Sequence, residues 1–130
     1  MHVYILTDLE GVSGLTMWSQ CSPDGSDAYQ MARRLLMGDV NAAVDGCYDG
    51  GATEVVVLDG HGWPCNMHPE LMHPGAEYLC GRGLPRGWDM DRGFDLGMQV
   101  GAHSMNRTRD GVLCHTQNHA TDARYWYNGR

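Results

Sequence analysis

Two apolar runs, with a helical stripe between them, constrain the fold of this chain more than any other feature. Thr53-Glu54-Val55-Val56-Val57-Leu58 is rich in β-branched residues and apolar on consecutive positions. That pattern suits a central parallel strand covered on both faces. Val3-Tyr4-Ile5-Leu6 has the same character and lies within residues 2–7, the first predicted strand. Between the two, Tyr29, Ala32, Leu35, Leu36, Ala43, Val44 and Cys47 approximate a helical stripe. Ser26 or Asp27 is placed to cap a helix over 27–48, Gly38 weakens its middle, and Gly50-Gly51 stops it. Strand, helix, strand is a βαβ unit, which requires parallel pairing and a right-handed crossover. The expected class is α/β: a mostly parallel sheet with flanking helices.

The remaining elements carry weaker signals. Residues 11–25 read as loop, punctuated by Gly11, Ser13, Gly14, Ser19, Ser22, Pro23 and Gly25. Residues 64–75 hold three prolines, with one helical turn near Glu70-Leu71-Met72, and a short strand follows at Glu77–Cys80. Gly81 to Gly93 is loop. Leu96, Met98 and Val100 alternate with Gly97, Gln99 and Gly101, which favours a strand ending at His103. Val112-Leu113-Cys114 is a brief apolar run ending at His115. Trp63 and Trp88, in loops, are assigned to ordinary packing. Arg124–Tyr127 reads as a strand and Asn128-Gly129 as a type I′ hairpin turn. A hairpin needs a returning strand, and the sequence stops at Arg130. Residues 1–130 are therefore expected to be the N-terminal part of a single α/β domain, truncated at its C-terminal end.

Composition removes several function classes. The formal net charge is −7, and all nine basic residues are arginine. An acidic chain of this kind is a poor partner for nucleic acid or an anionic membrane. No apolar run approaches the ~18 residues of a transmembrane helix, and Met1-His2-Val3-Tyr4 lacks the basic, then apolar, start of a secretion signal. A soluble cytoplasmic protein is the default. Cys21, Cys47, Cys65, Cys80 and Cys114 are odd in number and widely spaced. That argues for reduced, space-filling thiols and against a disulfide framework or zinc ribbon.

The chemistry collects where strands end. Asp8 and Glu10 close the first apolar run two residues apart, so along an extended chain they point the same way and repel unless a cation lies between them. Asp59 with His61, then His103, then His115 end the other runs. His2, His68, His73 and His119 have no such run before them and are read as surface or loop residues. In an open parallel sheet, ligands bind beyond the carboxyl ends of the strands, so these residues can meet. Carboxylate and imidazole donors together suit zinc, manganese or iron. Five or six such donors exceed the needs of one tetrahedral ion and favour two ions with a bridging carboxylate. Taken singly, each residue has an ordinary explanation as a turn residue or a satisfied core histidine. Jointly they point to a metal-dependent hydrolase of α/β class.

The motif blocks resemble the D-aminopeptidase family of zinc peptidases. These blocks are Tyr4-x-x-x-Asp8-x-Glu10-Gly11-x-Ser13-Gly14, Thr53-Glu54-Val55-x-Val57-x-Asp59-x-His61, Asn66, His73-Pro74, Gly101-x-His103, Gly111-Val112-x-x-His115-Thr116 and Asn128-Gly129. The resemblance implies an α/β fold, a dinuclear zinc site that also accepts other divalent metals, and a ring-shaped homo-oligomer. It implies Asp8, Glu10, His61 and His103 as zinc ligands and His115 as the catalytic histidine, cast in the family as a nucleophile and physically easier to see as a proton shuttle. The implied reaction removes N-terminal D-amino acids from short peptides or amides. The family's further glutamate ligand, shortly after the Asn-Gly turn, has no counterpart before Arg130. The alternative expectation is an inactive fragment or a metal-free binding module that retains the fold. Asp59 is expected to hold the His61 ring in one tautomer.

Overall fold

The computed structural model describes residues 1–62, 65–81, 93–117 and 128–129. Among these, β1 (His2–Thr7) leads through a short 3₁₀ turn at Trp18–Gln20 to α1 (Asp27–Asp49), then to β2 (Glu54–Asp59), a second 3₁₀ turn at Pro69–Leu71, β3 (Glu77–Leu79) and β4 (Leu96–Val100). The strands form one sheet in the order β3-β2-β1-β4, and every pairing is parallel. The βαβ reading of the sequence is what the chain adopts.

Ser26 caps α1, its side chain accepting from the backbone N–H of Tyr29, and Gly50 follows the helix end. The helix lays Tyr29, Ala32, Leu36, Met37, Val40 and Val44 into the core with Val3 and Ile5 of β1 and Val55 and Val57 of β2. Fully burying a Val, Leu, Ile or Met side chain of this set contributes about 1.5–3 kcal/mol. The buried stripe centres on Leu36, Val40 and Val44, and Leu35, expected within it, is exposed. Tyr4, Val56 and Leu58 point to the other face of the sheet, joined by Leu6, Leu79 and Phe94. The Phe94 ring stands edge-on to Tyr4 with centroids 5.0 Å apart. Two-sided burial explains why β1 and β2 are apolar without alternation.

The sheet order fixes where the site forms. From β1 the chain proceeds outward through β2 to β3, then returns to place β4 on the other side of β1. The reversal makes the carboxyl ends of β1 and β4 a topological switch point, where open α/β sheets bind ligands. Register reinforces this, since Thr7 pairs with Asp59 on one side and with Val100 on the other. Asp8, His61 and the segment Gly101–His103 therefore leave the sheet at one level.

Among the described residues one α-helix, α1, flanks the sheet. Two expectations need correction. Val112–Cys114 is not a strand: Leu113 sits at φ 50, and only an isolated parallel bridge joins His115 to Met105. The loop at 11–25 contains the Trp18–Gln20 turn, which Gln20 builds by accepting from the backbone N–H groups of Thr16 and Met17 at 2.8 and 2.9 Å. The Arg124–Tyr127 strand, Trp63, Trp88, His119 and most of the loop 81–93 lie outside the described residues. Asn128 and Gly129 have φ of 48 and 75, both positive as a type I′ turn requires. All five cysteines are free thiols. No helix among the described residues is long and apolar enough to cross a membrane.

Candidate metal centre

Two glycines let the loops after β1 and β4 close on each other. The Gly11 N–H donates to the Gly101 carbonyl at 2.7 Å, and the Asp8 N–H to that of Val100 at 2.9 Å. A Cβ on Gly11 would stand 2.0 Å from the Ala102 carbonyl oxygen, and one on Gly101, at φ +75, 2.1 Å from that of Asp8. Backbone cannot yield to such contacts, so only glycine permits this approach.

The five residues singled out in the sequence come together here. Donor atoms of Asp8, Glu10 and His61 all lie within 4.8 Å of one another. His61 Nδ1 is 3.3 Å from Asp8 Oδ1 and 2.9 Å from Glu10 Oε2. The other Asp8 oxygen, Oδ2, faces His103 Nε2 at 3.5 Å, and Glu10 Oε1 faces His115 Nε2 at 3.9 Å. The His103 and His115 rings stack with centroids 3.5 Å apart. The His103 side chain is 4 % exposed and that of His115 32 %, which places His103 inside and His115 at the mouth.

Each ring is held through its other nitrogen. His61 Nε2 is 3.0 Å from the Cys21 carbonyl, His103 Nδ1 is 2.8 Å from that of Ser104, and His115 Nδ1 is 2.8 Å from that of Leu113. A carbonyl only accepts, so each of these nitrogens carries the proton. The remaining nitrogens, His61 Nδ1, His103 Nε2 and His115 Nε2, all face carboxylate oxygens. Metal-ligating histidines characteristically donate their second N–H to a carbonyl or carboxylate in this way.

Electrostatics shows how strongly these carboxylates draw positive charge. Burial lowers the pKa of His61, but the Asp8 and Glu10 carboxylates beside it outweigh this and push the value up to about 10. Burial raises Asp8, yet its contacts with His61, Glu10, the Leu9 N–H and the His103 charge bring it below the usual carboxylate range. Glu10 Oε2 is buried without a hydrogen-bond partner among the described residues, although His61 Nδ1 is 2.9 Å away. A buried carboxylate oxygen beside an imidazole nitrogen is what a shared cation, proton or metal, would satisfy. The donor set fits a divalent metal of the zinc type.

The D-aminopeptidase family model matches residues 1–130, the whole chain. The chain belongs to the D-aminopeptidase family. A curated D-aminopeptidase from Bacillus subtilis (strain 168) is 29 % identical over 124 residues, which is 89 % of this chain and 42 % of that protein. The solved structure of the Zn-dependent D-aminopeptidase of Bacillus subtilis, described as a self-compartmentalizing protease, matches with a TM-score of 0.80 at 28 % identity. The match covers 88 % of this chain and 42 % of that one. The chain thus spans about two fifths of the length of these relatives.

This D-aminopeptidase-family chain also uses groups that composition and spacing did not reveal. The Cys21 carbonyl, a backbone atom with no sequence signature, sets the His61 tautomer in place of Asp59. Asp59 instead accepts from the backbone N–H of Asn66 at 2.6 Å and from its side-chain amide at 2.9 Å. Asn66 is fully buried, accepts from the Tyr29 hydroxyl at 2.7 Å and reaches the His61 carbonyl at 3.4 Å. Arg33 ties down the same segment, donating to the carbonyls of Asn66 and Met67. Asp59 therefore organises the loop that carries His61. Trp18 stands against the His115 ring, centroids 5.2 Å apart and planes at 65°.

Proposed function

We propose that this protein is a zinc-dependent aminopeptidase that releases N-terminal D-amino acids from short peptides or amides at a dinuclear site. The observation that carries the reading is the splaying of Asp8: Oδ1 is turned to His61 and Oδ2 to His103, as a carboxylate bridging two ions would be. Asp8, Glu10 and His61 would hold one ion, and Asp8 with His103 would contribute to the second. Zinc, when bound, supplies a Lewis acid that polarises the scissile carbonyl. Manganese or cobalt suits the same donors, and zinc is preferred because the Bacillus subtilis relative is Zn-dependent.

His115 is the proton-handling residue. Its Nδ1–H is fixed on Leu113, and its Nε2 is free to take a proton as water adds to the carbonyl carbon. It returns that proton to the leaving amine as the carbon–nitrogen bond breaks. Leu113 holds a left-handed φ of 50 two residues before it. Such strain costs about 1–3 kcal/mol and persists where the surroundings require it. Here it aims the carbonyl that orients His115. The D-preference and homo-oligomeric assembly are extended from the relatives' descriptions. Five free thiols suit the reducing cytoplasm. All 130 residues are taken as part of one α/β unit.

The test pairs elemental analysis with turnover. The protein dialysed against zinc should retain close to two ions, and D8N should retain fewer. D-alaninamide should be hydrolysed well ahead of L-alaninamide, and H115A should remove most turnover while keeping the metal. Persisting turnover in H115A overturns the catalytic role, and loss of zinc from it makes His115 a ligand. Equal rates on the two enantiomers overturn the D-preference.

A further inference from the structure

Trp18 is an unusual residue to find beside a proton-handling histidine. It is 52 % exposed although it is the largest side chain in its turn, and Met17 and Met105 are 56 % and 67 % exposed. These three come from the two segments that flank His115: Met17 precedes Trp18, and Met105 is the bridge partner of His115. Single exposed apolar residues are ordinary, but an exposed aromatic in contact with a candidate catalytic ring is informative.

The turn that carries Trp18 is also fixed. Its carbonyl accepts from the Cys21 N–H at 2.9 Å and from the Ser22 hydroxyl at 3.3 Å, and the Gln20 N–H donates to the Met17 carbonyl at 3.0 Å. Gln20 closes the turn from the other side through the N–H groups of Thr16 and Met17. The same turn ends at Cys21, whose carbonyl holds His61. A half-exposed indole on backbone this firmly held, and tied directly to the site, is pre-organised to receive something. A substrate carbonyl within reach of His115 brings the side chain next to the scissile bond into contact range of the indole, because successive Cα atoms are only about 3.8 Å apart.

We infer that Trp18 is a specificity-determining residue: its exposed indole forms an apolar wall beside His115 that favours substrates with a large apolar, above all aromatic, side chain flanking the scissile bond. The inference rests on the hydrolytic reading of the site. An aromatic ring meeting the indole adds to plain apolar burial, and differences of a few methylenes in such a pocket discriminate by about 10–200-fold.

The experiment measures kcat/KM for two series, D-Xaa amides and D-Ala-Xaa dipeptides with Xaa as Ala, Leu or Phe, on wild-type protein, W18A and W18F. In at least one series the wild type should prefer Phe to Ala by about tenfold or more. W18A should bring that ratio near unity, kcat/KM falling much further for the Phe substrates than for the Ala substrates, and W18F should keep most of the preference. A uniform fall across all substrates in W18A overturns the inference, since it marks Trp18 as packing for His115. An unchanged preference in both series overturns it too. If the wild type hydrolyses no substrate, the hydrolytic reading falls and takes the inference with it, a result distinct from the other two.

Discussion

Replacing Asn66 by alanine tests how the loop that presents His61 is held. Asn66 is fully buried, and its side chain makes bonds that alanine cannot, among them a 3.4 Å donation to the His61 carbonyl. It donates to Asp59 Oδ1 at 2.9 Å and accepts from the Tyr29 hydroxyl at 2.7 Å. A hydrogen bond to a charged group contributes about 1.5–3 kcal/mol and a neutral one about 0.5–1.5. Alanine also leaves a carboxylate oxygen and a phenol hydroxyl without their Asn66 partner in a buried region. Burial already raises the Asp59 pKa, and the donations from Asn66, with the His61 charge, pull it back. The expected loss is about 3–5 kcal/mol. For a chain of this size, 1 kcal/mol corresponds to roughly 3–5 °C, so the melting temperature should fall by about 10–20 °C. The assay is thermal or urea unfolding followed by circular dichroism on metal-free protein, because bound metal would add its own stabilisation. N66D, which sets a second carboxylate against Asp59, should be at least as damaging. A fall of less than ~3 °C in N66A, or an N66D protein more stable than N66A, would refute the reasoning.

Two further perturbations probe the loops and the thiols. G11A should destabilise by about 3 kcal/mol or more, at or above the usual range for overpacking, because the new Cβ meets the Ala102 carbonyl at 2.0 Å. Unfolding and zinc titration should show both lower stability and weaker binding, and a variant that matches wild type in both would count against the loop-closure account. For the thiols, burial and then the nearby Glu10 and Asp8 carboxylates push Cys21 up to about 12, and burial with Asp59 and Cys65 pushes Cys80 up to about 11. At pH 8 both stay protonated, so a disulfide reagent should label exposed Cys65 first and Cys21 last, as peptide mapping of the adducts would show.

The parts of the fold legible in the sequence are those with redundant local signals. β1, β2 and α1 combine β-branched runs, a helical stripe, an N-cap serine and a glycine stop, and the chain follows each nearly to the residue. Val112–Cys114 misled because three apolar residues cannot distinguish a strand from a buried turn, and Leu113 adopts a left-handed conformation that its type does not advertise. The Trp18–Gln20 turn was hidden because a glutamine side chain, not a turn residue, closes it. The five candidate residues were legible as residues that end apolar runs. What holds them was not, because the Cys21 carbonyl is backbone. Gly11 and Gly101 were visible as glycines, but the reason for them is a contact between two distant loops.

The distances decide whether protons or a cation best complete this cluster. A proton on His61 Nδ1, favoured up to about pH 10, answers one gap, where the carboxylate oxygens stand 2.9 and 3.3 Å away. It does nothing for the others. Asp8 Oδ2 and His103 Nε2 are 3.5 Å apart, and Glu10 Oε1 and His115 Nε2 are 3.9 Å apart. Both separations exceed the 2.7–3.2 Å of an ordinary N–H···O bond. They suit two donors that each lie about 2.0–2.1 Å from a common ion, where tetrahedral ligands stand roughly 3.4 Å from one another. The 3.5 Å gap is close to that value, so Asp8 and His103 are spaced as two donors to one divalent cation would be. The wider gap at exposed His115 favours leaving that nitrogen unligated and free to carry a proton. On the proposed reading, the four buried donors would act as ligands and His115, the fifth residue, would carry the proton.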